Sequence, residues 1–179
     1  ATNTVNVQQQ LVSKDIPLAA KTVEVIFGKG ALEFALFKGR SHYLCLRKWK
    51  RVYDETLKNK RLFEAREEDK MLQRLSDIIE DNSWNGDREK LPFHISDSLW
   101  SSLCSESERC MSAKCPFRES CYYHKERHHL EKCHFVVVNH ALFAAHLKVS
   151  QETAGKTTLL PGYEAVIFDE AHHLEEVFR

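Results

Sequence analysis

Residues 165–172, Ala-Val-Ile-Phe-Asp-Glu-Ala-His, constrain this chain more than any other stretch. A short apolar run ending in two acids reads as a buried parallel strand that delivers carboxylates to a crevice at its carboxyl end, since a strand covered on both faces need not alternate polar and apolar side chains. Hydrolysis of a nucleoside triphosphate needs Mg2+ to neutralise phosphate charge, and an acceptor that orients and deprotonates the attacking water. Asp169 suits the metal and Glu170 suits the water. Paired acids also suit the start of a solvated helix, where carboxylates meet unsatisfied N–H groups.

A phosphate-binding loop of the form Gly-x4-Gly-Lys-Ser/Thr is the expected companion of such a pair. Only Ala154-Gly155-Lys156-Thr157-Thr158 comes close. Ser150 stands where the first glycine belongs, the preceding residues are polar, and Pro161 forbids a long helix afterwards. This loop is a decoy, and the chain is expected to be a piece of a larger enzyme, inactive by itself. Apolar residues at 42% can build a core, and no run approaches the roughly 20 apolar residues of a membrane span, so no membrane partner and a cytoplasmic setting are expected. With 26 acidic and 26 basic residues, net charge says nothing about a nucleic-acid partner.

Charge distribution says more. Residues 38–51 carry six Lys or Arg and no acid, with Tyr43 and Trp49 interleaved. Cations that displace counterions from phosphates, beside aromatics that stack on unpaired bases, suit single-stranded DNA; a solvated face whose aromatics belong to the core has the same pattern. Arg40, Tyr43, Arg47, Lys48 and Trp49 are the candidates here. Tyr122 and Lys125 extend the set, or Tyr122 and Tyr123 act as a shield for the neighbouring cysteines. The histidines at 124, 128 and 129 point in different directions on a helix and make no metal site.

Six cysteines occur, at 45, 104, 110, 115, 121 and 133. Without a secretion signal, clustering points to metal or redox chemistry rather than disulfides. No Cys-x2-Cys knuckle supports a zinc ribbon, whereas a tetranuclear iron–sulfur cluster accepts long spacings because the fold brings its thiolates together. Cys110, Cys115 and Cys121 form a close trio, and either Cys45 or Cys104 could complete it; spacing does not choose.

The order Asp169-Glu170-Ala171-His172 resembles the Walker B motif of superfamily 2 helicases. Lys38-Gly39-Arg40-Ser41-His42-Tyr43-Leu44-Cys45, followed by Cys110-x4-Cys115-x5-Cys121, resembles the iron–sulfur region of the DinG and XPD helicases. Residues 1–11, Ala-Thr-Asn-Thr-Val-Asn-Val-Gln-Gln-Gln-Leu, resemble that family's motif Ia, and Phe135–Leu142 resembles the strand before its Walker B segment. The resemblance implies that Cys45, Cys110, Cys115 and Cys121 hold a 4Fe-4S cluster, leaving Cys104 and Cys133 as small buried hydrophobes. It implies DNA contacts at Thr2, Asn3, Thr4, Asn139 and His140, residue types that alone are more often helix caps. It also implies Mg2+ on Asp169, a general base in Glu170, and coupling of hydrolysis to movement through His172.

The expected fold is α/β: a partial RecA-like helicase motor domain with a parallel sheet, interrupted by a mostly helical iron–sulfur domain. Residues 1–37 and 134–179 belong to the motor domain and 38–133 to the insertion. Helices are expected over Val5–Lys14, Asp15–Phe27 with Pro17 in the first turn and Gly28 as stop, around Met71–Ile79, Ser96–Leu103 and Phe117–Lys132. Strands are expected at Leu32–Phe37, Phe135–Leu142 and Ala165–Phe168, with Lys148–Leu160 a surface connection. As the family implies, the intact enzyme is an ATP-dependent helicase acting 5′ to 3′ on single-stranded or forked DNA in repair or replication, with ATP, Mg2+ and the rest of the helicase chain as partners. Its cluster domain is a rigid wedge that grips the strand. The alternative is a cysteine–metal nucleic-acid-binding module without hydrolysis.

Overall fold

The computed structural model describes residues 1–2, 5–59 and 67–178. In chain order its elements are α1 (Val5–Gln10), α2 (Ile16–Phe27), β1 (Phe34–Leu36), α3 (Leu46–Asn59), α4 (Glu67–Asp81), α5 (Asp97–Leu103), α6 (Tyr122–His129), β2 (Phe135–Val137), α7 (His140–Glu152) and α8 (Leu174–Val177). A wide π turn, Leu11–Asp15, joins α1 to α2. The chain divides into two compact units, Ala1–Lys38 with Arg127–Arg179, and Gly39–Glu126.

The first unit holds a small parallel sheet. β1 pairs with β2 in the register Phe34↔Phe135, Ala35↔Val136, Leu36↔Val137. The pairing continues past β2: Thr2 N–H donates to the Val138 carbonyl at 3.0 Å and His140 N–H to the Thr2 carbonyl at 2.9 Å. On the other side of residues 1–2, the Ala1 amine donates to the Ile167 carbonyl at 2.5 Å and Asp169 N–H donates to the Ala1 carbonyl at 2.9 Å. These hydrogen bonds carry the parallel pattern from β1 through β2 and Thr2 to Phe168. Gly28, at φ +95°, ends α2 as expected of a helix-stop glycine.

Three expectations are corrected here. Ala165–Phe168 is not a regular strand: its pairing is one residue long, and Ile167 is 71% exposed. An apolar run becomes a buried strand only where a ladder and a covering layer meet it, and here both reach Phe168 alone, which pairs with Ala1 and sets its ring 5.3 Å from that of Phe143. The strand at Phe135 stops at Val137, because the Asn139 side chain accepts the Leu142 N–H at 2.7 Å and starts α7 at His140. In consequence the surface connection begins after Glu152 rather than at Lys148. There the decoy loop closes on itself, with the Thr153 hydroxyl accepting the Thr157 N–H at 3.1 Å.

The second unit is helical around an aromatic core. α3 buries Leu46 and Trp49, with Trp49 stacked on Tyr53 at 5.3 Å; α4 buries Leu72 and Leu75; α5, capped by the Ser96 hydroxyl at 3.3 Å from Leu99 N, buries Leu99, Trp100 and Leu103. These side chains recur at three- and four-residue spacing, the period of one helical face. The expected helix from Phe117 begins only at Tyr122. Residues 112–121 instead wind through successive short turns, Cys115 N–H to Ser112 O, Arg118 N–H to Cys115 O and Cys121 N–H to Arg118 O, at 3.1–3.2 Å. No helix among the described residues is long and apolar enough to cross a membrane.

Candidate functional site

Cys45 is set by the segment on either side of it. Leu44 N–H donates to the Gly86 carbonyl, Cys45 N–H to the Leu103 carbonyl, and Ser105 N–H to the Tyr43 carbonyl, at 2.8–2.9 Å. Held between two neighbouring stretches of backbone, Cys45 then accepts the Trp49 N–H and opens α3. The turns at 107–121 place the other thiols. Cys45, Cys110, Cys115 and Cys121 all line one small cavity of about 30 Å3. Cys104 lies outside it, buried, its thiol directed to the Ser101 carbonyl at 3.6 Å. Cys133 directs its thiol to the His129 carbonyl at 3.5 Å.

The thiols feel different surroundings. Burial works against a Cys110 thiolate, but hydrogen bonds from the Ser112 backbone and the Arg40 guanidinium, with the Arg40 charge, outweigh it and hold its pKa below the ordinary value. Burial pushes the Cys121 thiol up against backbone hydrogen bonds from His124 and Tyr123, and Cys45 and Cys110 beside it act in the same direction as burial. Among the described residues, no three His, Cys, Asp or Glu donors are grouped as a single metal ion requires.

Most of the residues expected to grip a strand pack within the second unit or pair with its other residues. Tyr43 is 2% exposed, edge-on to Tyr123 at 5.9 Å; Trp49 is 8% exposed; Tyr122 is 6% exposed against Trp84 at 5.6 Å. These three rings lie in the aromatic core of the second unit. Lys48 is 5% exposed and pairs with Glu106 at 3.0 Å. Arg40 lies 4.1 Å over the Tyr123 ring and bonds Cys110, while Arg47 donates to the Arg109 carbonyl at 2.8 Å. Lys125 is exposed, and so are Lys50 and Arg51, two cations that the sequence pattern did not single out; the Lys50 ammonium pairs with Asp54 at 2.8 Å on the helix surface. Glu106 and Arg109 were not singled out either; the one available signal was an acid run just before Cys110, facing a basic helix that carries no acid in its first two turns.

In the other unit, Asp169 Oδ1 accepts the Glu170 N–H at 3.0 Å. Glu170 takes the left-handed conformation, φ +53° and ψ +44°, which costs a non-glycine residue roughly 1–2 kcal/mol. Its Oε2 is buried without a hydrogen-bond partner. His172 follows in a tight turn, its ring 4.0 Å from that of His173. Thr2 and His140, expected on DNA, are 2% and 1% exposed, so neither surface is open to a strand here; His140 Nε2 lies 3.2 Å from the Ala1 carbonyl. Asn139 spends its side-chain oxygen on the α7 cap. Asn3 and Thr4 lie outside the described residues.

No family model matches the chain. The ATP-dependent DNA helicase DinG of Photobacterium profundum is 33% identical over 186 aligned positions, covering 100% of this chain and 25% of that protein. The ATP-dependent DNA helicase YoaA of Escherichia coli is 34% identical over 95% of this chain and 25% of its own length. The ATP-dependent helicase DinG of Mycobacterium tuberculosis is 29% identical over 98% of this chain and 27% of its own length. The chain thus spans about a quarter of the curated relatives it matches. Over its whole length the chain is a homologue of one segment of the DinG and YoaA helicases.

Proposed function

We propose that this segment belongs to an ATP-dependent DNA helicase, moving 5′ to 3′ on single-stranded or forked DNA in repair or replication in the cytoplasm, and that Cys45, Cys110, Cys115 and Cys121 hold a 4Fe-4S cluster in it. The observation that carries the reading is that these four thiols, drawn from positions up to 76 residues apart in sequence, line one cavity in a chain homologous to DinG helicases, while Cys104 and Cys133 do not. Thiolates are the donors iron–sulfur clusters take, and a cluster with a separate iron for each thiolate does not need the sulfurs to meet at one point.

When bound, the cluster supplies a rigid crosslink among the Cys45 segment, the 107–121 turns and the start of α6. The chain's own residues do the rest. Hydrogen bonds to Gly86 and Leu103 hold the Cys45 backbone, and Arg40 favours the Cys110 thiolate. Exposed Lys50, Arg51 and Lys125 offer charge to a phosphate backbone, as a wedge that grips single-stranded DNA requires. In the motor unit, Asp169 binds Mg2+, Glu170 accepts the proton of the attacking water, and His172 couples the site to movement. The strained backbone and unpartnered oxygen of Glu170 support that role, since strain and unmet polar atoms gather at functional positions.

The test is Glu170→Gln in a protein spanning the full length of the relatives. Loss of ATP hydrolysis and of unwinding from a 5′ single-stranded tail, with DNA binding kept, is the expected result. Hydrolysis at the parent rate removes Glu170 from the chemistry.

A further inference from the structure

We propose that Lys48, through its pair with Glu106, is a positioning residue that sets how readily a cluster in the cysteine cavity accepts an electron. The inference rests on the reading that Cys45, Cys110, Cys115 and Cys121 hold an iron–sulfur cluster.

Lysine is rarely buried, because the ammonium loses its water; yet Lys48 is 5% exposed and lines the same cavity as the four thiols. Its carboxylate partner is shared: Glu106 Oε2 lies 3.0 Å from Lys48 Nζ and 3.5 Å from Arg109 Nε. Two cations on one carboxylate leave the cavity wall positive, and Arg47 and Arg118 line it too. That excess has an evident counterpart. Four thiolates outweigh the charge of the iron–sulfur core they bind, so the ligated group is an anion, and one-electron reduction by a low-potential donor makes it more negative without breaking a bond or moving a proton. A fixed cation as poorly hydrated as Lys48 favours the more negative state, and a fixed anion opposes it, more weakly for Glu106 because its side chain is 38% exposed and screened by water. Lys48 and Glu106 therefore act with opposite sign on the same equilibrium. A purely structural clamp, holding the 105–110 loop against α3, would not separate the two signs.

The experiment uses the whole chain, loaded with iron and sulfide without oxygen, with metal counted first and the reduction potential then measured by dithionite titration with mediators. Lys48→Met should shift the reduction equilibrium about tenfold toward the oxidised form, about 59 mV for one electron. Glu106→Gln should shift it the other way, Lys48→Arg should return it to the parent value, and Lys70→Met, an exposed position on α4, should leave it unmoved. If Lys48→Met fails to hold iron, the upward shift in Glu106→Gln alone carries the test. Unmoved potentials, or shifts of the same sign, in fully loaded variants overturn the inference while leaving the cluster reading intact. A parent chain that takes up no iron overturns both.

Discussion

Tyr122 occupies the space that any side chain on Gly86 would need: a Cβ there would lie 2.2 Å from the Tyr122 ring, and Gly86 also sits at φ +84°. This one close approach lets the Gly86 carbonyl reach Leu44 N–H at 2.9 Å, next to Cys45. Gly86→Ala combines a left-handed alanine with overpacking against a buried ring. It should destabilise the second unit by on the order of 3 kcal/mol, read as a lower urea midpoint, with weaker iron retention alongside. An unchanged midpoint would mean that Tyr122 moves aside freely.

The exposed cations and the buried aromatics of α3 predict different binding behaviour. Lys50→Ala with Arg51→Ala should weaken single-stranded DNA binding uniformly across sequences, and reduce the slope of log affinity against log salt by about 1.4, at roughly 0.7 for each phosphate no longer neutralised. Trp49→Ala should instead lower the thermal midpoint. Were Trp49→Ala to weaken binding at full stability, the ring would have to leave the core.

Asn139 tests whether a motif residue works as a cap. Asn139→Ala should cost about 1 kcal/mol through the missing bond to Leu142 N–H, and Asn139→Asp should recover it. A stability unchanged by Asn139→Ala would return the side chain to other work.

Which of these features were legible beforehand depends on how local their causes are. α2, α4 and α5 could be read because Gly28, the Leu72 and Leu75 spacing, and Ser96 act within one or two turns. The trio of clustered cysteines was legible for the same reason. The side that Lys48 faces was not: its acid, Glu106, lies far along the chain, and a charge run in one dimension does not say which members turn inward. Ala165–Phe168 failed as a regular strand because strand formation depends on partners rather than on composition. Spacing alone left Cys45 and Cys104 open as the trio's companion; the preference for Cys45 came from the family resemblance, and it is Cys45 that lines the cavity with the trio.

His146 gives the first unit a pH dependence. Its Nδ1 accepts N–H groups of Leu159 and Leu160 at 3.3 and 3.2 Å, and burial holds its pKa below the ordinary 6.5. The folded ring stays neutral where the unfolded one takes a proton, so this contribution is complete above about pH 6.5 and declines as pH falls below it, levelling under the folded pKa. Urea midpoints between pH 7.5 and 5 should fall, and His146→Asn, with an oxygen near the Nδ1 position, should flatten that fall. An equal fall in the variant would assign the dependence to other groups.

The most direct test of the central claim is the metal content of the chain purified without oxygen, as iron, acid-labile sulfide and zinc, in the parent and in Cys45→Ser and Cys104→Ser. The account predicts about four irons with matching sulfide, lost in Cys45→Ser and kept in Cys104→Ser. One zinc without sulfide, dependent on Cys104 and indifferent to Cys45, would contradict it.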